Sequence, residues 1–306
     1  MKPNLTTTIK GLSFKNPITV ASGTFGTKDE YTDFVDYEML GAIITKTITI
    51  KPKAGNPMPR IFETAAGMLN AIGLQNKGLD DFIENKIPYF AKIKTPLIVN
   101  IAGENPGDFE VLAKSLDRHK QVVRALELNF SCPNVEAGGA SFMKKRERIL
   151  DVMKALRSNT NLVLFAKLSP ELGDVLEIAE DVMKAGADGL SLINTFKGMA
   201  VNVDTMKPQI ANITGGLSGP AIKPIALRYV YEITKQLKVP VIASGGIMTG
   251  QDAAEFLSVG AALIAVGTAS FVNPSAALDI LKGVEDFMQK KKWNHIDRLR
   301  GAFHEF

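Results

Sequence analysis

The feature that most constrains this chain is an alternation. Eight short apolar runs recur along 306 residues, at 17–21, 42–47, 96–102, from Leu126 onward, 162–168, 189–194, 239–244 and 262–266. Continuous apolar runs of this length suit strands covered on both faces, as in parallel sheets with helices outside. Stretches with helical spacing lie between them, at 28–40, 79–92, 106–117, 144–157, 175–185 and 220–237. Thr249 and Asp252 have the spacing of a capping box, and Asn273-Pro274 caps and starts a last long helix. Eight such units over this length favour a closed (β/α)8 barrel over an open doubly wound sheet. Residues 5–16 read as an N-terminal hairpin with Lys10-Gly11 at its turn. Two long excursions, 51–76 and 197–219, read as insertions over the C-terminal face, with a hairpin within 201–213. Loops this long in a compact fold are usually functional. Residues 1–306 are expected to form a single barrel domain.

Composition excludes several classes. Hydrophobic residues make up 45% and charged residues 22%, ordinary for a globular protein, and the net charge is only +4. The clusters Lys144-Lys145-Arg146 and Lys290-Lys291-Lys292 read as solvated helix faces rather than a nucleic-acid stripe. One cysteine rules out an internal disulfide framework and fits a reducing, cytoplasmic setting. Residues 1–10 lack the apolar core of a signal peptide, and no run approaches the ~18 apolar residues of a membrane span. No two glycines sit two apart, so the dinucleotide fingerprint is missing, and there is no P-loop or H-E-x-x-H. His119, His295 and His304 fall in helical stretches or the tail, which argues against a histidine metal site or a Ser-His-Asp triad.

In a barrel the carboxyl ends of all strands share one face, where active sites are built. Those ends are Ser22, Lys46, Asn100, Asn129, Lys167, Asn194, Gly245-Gly246 and Gly267-Thr268. Three asparagines that both donate and accept suit a flat heterocycle with ring N–H and C=O groups. Lys46 and Lys167 lie inside apolar strands, where an unpartnered ammonium is disfavoured, so an anionic ligand is expected. The competing reading pairs either lysine with a core carboxylate such as Glu127. The Ser-Gly-Gly and Gly-Thr ends let backbone N–H groups approach a phosphate, and the first leads toward a helix N-terminus. Glycine pairs are more often simple turns; at these two strand ends together they fit a phosphate site. Cys132 follows the fourth strand within Asn129-Phe-Ser-Cys-Pro-Asn134. A lone cysteine is more often a buried small hydrophobe, but here its neighbours are amides, a hydroxyl and glycines. The set suits flavin mononucleotide: one phosphate, a flat ring, and a lysine beside the region that becomes anionic on reduction.

The chain resembles the dihydroorotate dehydrogenase family over essentially its whole length. The resemblance rests on Asn70-Ala-Ile-Gly-Leu74, Asn129-Phe-Ser-Cys-Pro-Asn134, Ile193-Asn-Thr195, Gly215-Gly-Leu-Ser-Gly-Pro-Ala-Ile-Lys-Pro224 and Gly245-Gly246. The cysteine marks class 1, and segments 193–195 and 215–224 resemble the NAD-linked class 1B catalytic subunit more than the fumarate-linked class 1A. The resemblance implies that Cys132 takes a proton from C5 of dihydroorotate while C6 passes a hydride to flavin N5. It implies that Lys46, Asn70, Ala71, Ile72, Gly73, Leu74, Asn129, Asn194 and Thr195 hold the substrate. It gives the FMN to Ser22, Lys46, Thr47, Asn100, Asn129, Lys167, Ile193, Gly219, Gly245, Gly246, Gly267 and Thr268. It also implies a partner subunit carrying FAD and a [2Fe–2S] cluster, in a heterotetramer built on a homodimer of this chain. Three other readings compete: a class 1A or other flavin barrel, an aldolase-like barrel using Lys46 or Lys167 as a Schiff base, and a non-enzymatic binding barrel.

Overall fold

The computed structural model describes residues 2–130 and 146–305. In chain order, β1 (Thr7–Ile9) and β2 (Leu12–Phe14) form an antiparallel hairpin, turned by Lys10 and Gly11 at positive φ. β3 (Ile18–Val20) and β4 (Ile43–Ile44) follow. β5 (Ile61–Thr64) and β6 (Gly67–Asn70) pair with each other, then come β7 (Leu97–Ile101), β8 (Val123–Asn129), β9 (Val163–Lys167) and β10 (Gly189–Leu192). β11 (Phe196–Met199), β12 (Val201–Asn202), β13 (Lys207–Pro208) and β14 (Thr214–Ser218) make up the second excursion. β15 (Val241–Ala243) and β16 (Leu263–Val266) complete the set.

Eight of these strands form one parallel sheet in the order β4-β7-β8-β9-β10-β15-β16-β3, which is chain order with the ends meeting. The seam between β3 and β4 has no strand ladder, but the Gly41 N–H donates to the Ile18 carbonyl at 2.8 Å. The result is a nearly closed (β/α)8 barrel, as the alternation requires. Its lower interior is apolar: Ile44, Ile98, Ala125, Phe165, Ile242 and Leu263 pack together, and Ile9, Leu12 and Phe14 of the hairpin close that end. Alternate strand residues face the same way, so the next inward positions are Asn100, Glu127, Lys167 and Ser244, a polar layer toward the carboxyl ends. The intervening residues, among them Val99, Leu126, Leu128, Leu164, Ala166, Val241 and Ile264, pack outward in the larger core with the helices. Burying each large apolar side chain contributes roughly 1.5–3 kcal/mol, which offsets the cost of the polar layer above.

The excursions differ from the expectation of loops. β5 and β6 join β14 and β11 in a four-stranded antiparallel sheet, with Gly216 opposite Asn70 and Phe196 opposite Leu217. The hairpin within 201–213 is present as β12 and β13. Two helical readings are corrected. Residues 28–40 hold no α-helix, only a 3-10 turn at Tyr37–Met39 capped by Asp36. The Glu30 carboxylate takes up the N–H groups of Thr27 and Lys28 and the Thr27 hydroxyl, tying a turn where a helix would begin. Phe25 then stacks on Tyr31 at 4.4 Å and lies against Tyr37 at 5.2 Å, folding the segment back on itself. The 79–92 helix runs from Gly78 to Phe90 but widens into a π-turn at Phe82–Lys86, because Pro88 has no N–H to donate backward. The other helices fall close to the expected places, at Pro106–Asp117, Arg146–Arg157, Val175–Lys184, Lys223–Leu237, Gly250–Ser258 and Ala276–Lys290. No helix among the described residues is long and apolar enough to cross a membrane.

Candidate active site at the barrel mouth

A cavity of about 470 Å3 opens at the carboxyl ends of the barrel strands, within the range of small-molecule and cofactor sites. Its wall gathers strand ends far apart in the chain: Ser22 after β3, Lys46 and Thr47 after β4, Asn129 ending β8, Lys167 ending β9, and Ile193 with Asn194 after β10. Gly245-Gly246 after β15 and Gly267-Thr268 after β16 complete the ring. The four-stranded sheet adds Asn70, Gly216, Ser218 and Gly219, and the segment after β6 adds Ile72, Gly73 and Leu74. Thr195 lines it too.

Local bonding fixes several of these groups. The Asn194 amide donates to Asn129 Oδ1 at 3.2 Å while its own Oδ1 accepts the Thr195 N–H at 2.9 Å. Asn70 Nδ2 donates to the Gly216 carbonyl at 3.3 Å, a side-chain bond between β6 and β14 within the four-stranded lid sheet. The hydroxyls of Ser22 and Thr47 approach to 3.4 Å, and Thr268 donates to Ser218 at 2.8 Å. Gly245 and Gly246 take φ of +122° and +71°, conformations open to glycine, and a Cβ on Gly246 would sit 2.6 Å from the Lys223 Cβ. Among the described residues the N–H groups of Gly245, Gly246 and Thr268 find no acceptor within the chain. These are the donors a phosphate needs.

The two lysines differ. Lys46 makes no ion pair among the described residues; burial and then the nearby Arg60 guanidinium hold its ammonium pKa below the usual lysine range, with Glu30 opposing. Lys167 is paired with Glu127 at 3.2 Å. The expectation of an anionic ligand as the partner of both lysines is therefore corrected for Lys167: the core carboxylate takes that part. Asn100 stands off the cavity wall. It is fully buried below the cavity and its amide donates to Glu127 at 2.5 Å, while its Oδ1 finds no partner. Ala71 is buried against Leu69 and Ile210, behind the wall rather than on it. The helix after Gly245-Gly246 starts only at Gly250, which is not on the cavity wall, and its Asp252 N–H is taken by the Thr249 hydroxyl, so the glycine loop rather than the helix end faces the cavity. Cys132 lies outside the described residues.

Residues outside the expected set also line the cavity, including Arg60, Gln75, Ser218, Met248 and Phe271. Arg60 donates to the Gln75 side chain at 2.5 Å and to the Asn56 carbonyl at 3.2 Å. Its signal was its place within the 51–76 excursion, which the sequence put over the C-terminal face without giving Arg60 a role.

The family model for dihydroorotate dehydrogenase matches residues 4–288. The chain belongs to the dihydroorotate dehydrogenase family. It is 48% identical over 301 residues, covering 98% of both chains, to the dihydroorotate dehydrogenase B (NAD(+)) catalytic subunit of Geotalea daltonii. The subunit of the same name from Alkaliphilus metalliredigens is 46% identical over 302 residues, 98% of this chain and 99% of that one. Among solved structures, Eimeria tenella DHODH in complex with ferulenol superposes with a TM-score of 0.81 at 26% identity, over 98% of this chain and 89% of that chain.

Proposed function

We propose that this chain oxidises dihydroorotate to orotate in de novo pyrimidine synthesis, as one FMN-binding barrel domain over residues 1–306. The observation that carries the reading is the cavity itself: three cationic side chains (Lys46, Arg60 and Lys167), a set of carboxamides and unpaired backbone donors meet at the mouth of a barrel of this family. The residues suit FMN. Gly245, Gly246, Gly267 and Thr268 would hold its phosphate, and Ser22, Thr47, Asn129, Lys167, Ile193 and Gly219 its remainder. Asn100 would act on it only from below, through Glu127. FMN, when bound, supplies the hydride acceptor. Lys46 faces the substrate carboxylate, and Asn70, Asn129, Asn194 and Thr195 hold the ring, with the Ile72–Leu74 backbone beside them; Ala71 supports that backbone from behind.

Cys132 is the base in this reading. It comes three residues after Asn129, a cavity residue, so the chain tethers it within about 11 Å of that strand end. A thiol with a pKa of ~8.5 is partly thiolate near neutrality and can take the C5 proton. The names of the relatives include NAD(+) and "catalytic subunit". We extend that to this chain: electrons pass to NAD through a partner subunit carrying FAD and [2Fe–2S]. A single cysteine cannot ligate such a cluster, and no dinucleotide fingerprint is present. The assembly is a heterotetramer built on a homodimer of this chain, in the cytoplasm.

The test is chemical. The purified chain should release FMN on denaturation, and anaerobic dihydroorotate should bleach the bound flavin. NAD should be reduced only when the partner subunit is added. A colourless protein, or one bleached by NADH without a partner, would contradict the reading.

A further inference from the structure

The mechanism above gives the buried Glu127 no role of its own. Glu127 is 1% exposed, at the centre of the barrel's polar layer. Side chains from three neighbouring strands converge on it. Its Oε1 accepts from Asn100 Nδ2 of β7 at 2.5 Å and from Lys167 Nζ of β9 at 3.2 Å; its Oε2 accepts from Ser191 Oγ of β10 at 2.7 Å. Glu127 lies two residues before Asn129 on β8, so both face inward, and Glu127 sits one step deeper. Lys167 links the two levels: it lines the cavity, stands opposite Asn129 in the strand register, and pairs downward with Glu127.

An ion pair this deep is weak evidence for stability, since an apolar pair of similar volume often serves as well or better. The barrel layer directly below is built from such apolar residues. What an ion pair supplies and an apolar pair does not is a fixed field at the cavity wall. Lys46, on the same cavity, makes no ion pair among the described residues and feels the opposing charge of Glu30 only at longer range. The two lysines are thus set differently by the chain, one paired and one not.

We propose that Glu127 is a positioning residue that holds the Lys167 ammonium at the cavity wall and offsets its charge there, keeping the reduction potential of the flavin low. The proposal rests on the FMN reading above. A bare ammonium beside the ring would stabilise the negative charge that reduction brings and hold electrons that must move on to a nicotinamide. The carboxylate behind it reduces that pull, and the Ser191 hydroxyl in turn moderates the carboxylate.

The test is the midpoint potential of the bound FMN, measured by spectroelectrochemistry on the purified chain. Glu127→Gln keeps size and one accepting oxygen but removes the charge. It should shift the oxidised-to-reduced balance at least tenfold toward reduced, a rise of about 30 mV for a two-electron couple. Ser191→Ala leaves the carboxylate less shielded and should move the potential the other way, by less. Opposite signs are the signature, because loosened packing would not reverse direction between the two. An unchanged or lowered potential in Glu127→Gln, or a shift of the same sign in both variants, overturns the proposal. If Glu127→Gln does not fold, Ser191→Ala decides alone: a lowered potential supports the proposal and any other result overturns it. A wild-type chain without flavin would remove the functional reading itself, an outcome distinct from flavin bound at an unmoved potential.

Discussion

Lys46 shows how a single side chain sets a pH profile. Its ammonium sits below the ordinary lysine range because burial penalises the charge and Arg60 repels it. Turnover should rise with pH as the Cys132 thiol ionises near ~8.5, then fall as Lys46 loses its proton at lower pH than a free lysine. The falling limb should move to higher pH in Arg60→Gln, read from kcat/KM across the alkaline range; an unmoved limb would separate Arg60 from Lys46. Glu30 makes a second pH-dependent contribution. Burial opposes its ionisation, but hydrogen bonds from Thr27 and Lys28 hold it down to about 2, against 4.5 unperturbed. A depressed carboxyl stabilises the fold above its unfolded pKa and loses that contribution as pH falls. The melting advantage of wild type over Glu30→Gln should therefore be full above pH 4.5 and vanish toward pH 2. At this scale the sequence was readable where strand ends carry polar residues. It could not say which lysine Glu127 would take, because a strand pattern fixes facing but not the reach of a long side chain.

Among the elements, the helix Gly250–Ser258 carries a complete capping box: the Thr249 hydroxyl accepts the Asp252 N–H, and the Asp252 carboxylate accepts the Thr249 N–H. Thr249→Ala should cost about 1 kcal/mol by chemical denaturation, with little effect on flavin binding, since Thr249 is not on the cavity wall. That cap was visible in the sequence because both partners lie within four residues. The lid sheet was not. β6 pairs with β14, setting Asn70 opposite Gly216, and no local signal reports a partner so far along the chain. Residues 28–40 misled for a related reason: their apolar spacing suits a helix, yet Glu30 and the Phe25–Tyr31–Tyr37 cluster hold them in turns.

At the scale of the whole molecule, the barrel closes where its ladder is thinnest. Gly41 passes so close to β3 that a Cβ would lie 1.9 Å from the Asn16 carbonyl oxygen. Gly41→Ala must move one wall of the seam, and a loss of about 1–3 kcal/mol in unfolding free energy is expected. A variant as stable as wild type would mean the seam is looser than described. Closure matters for chemistry because it brings Ser22 and Lys46, from the strands on either side of that seam, into one cavity with Asn129 and Gly245. The count of eight apolar runs made the barrel legible from the start; the seam's dependence on one glycine was not. The most direct test of the account is rapid anaerobic mixing of dihydroorotate with wild type and with Cys132→Ser. Both should carry FMN, and wild type should bleach rapidly, while Cys132→Ser at neutral pH should bleach at least a hundredfold more slowly, the contribution expected of a general base. Equal bleaching rates in the two proteins would contradict it.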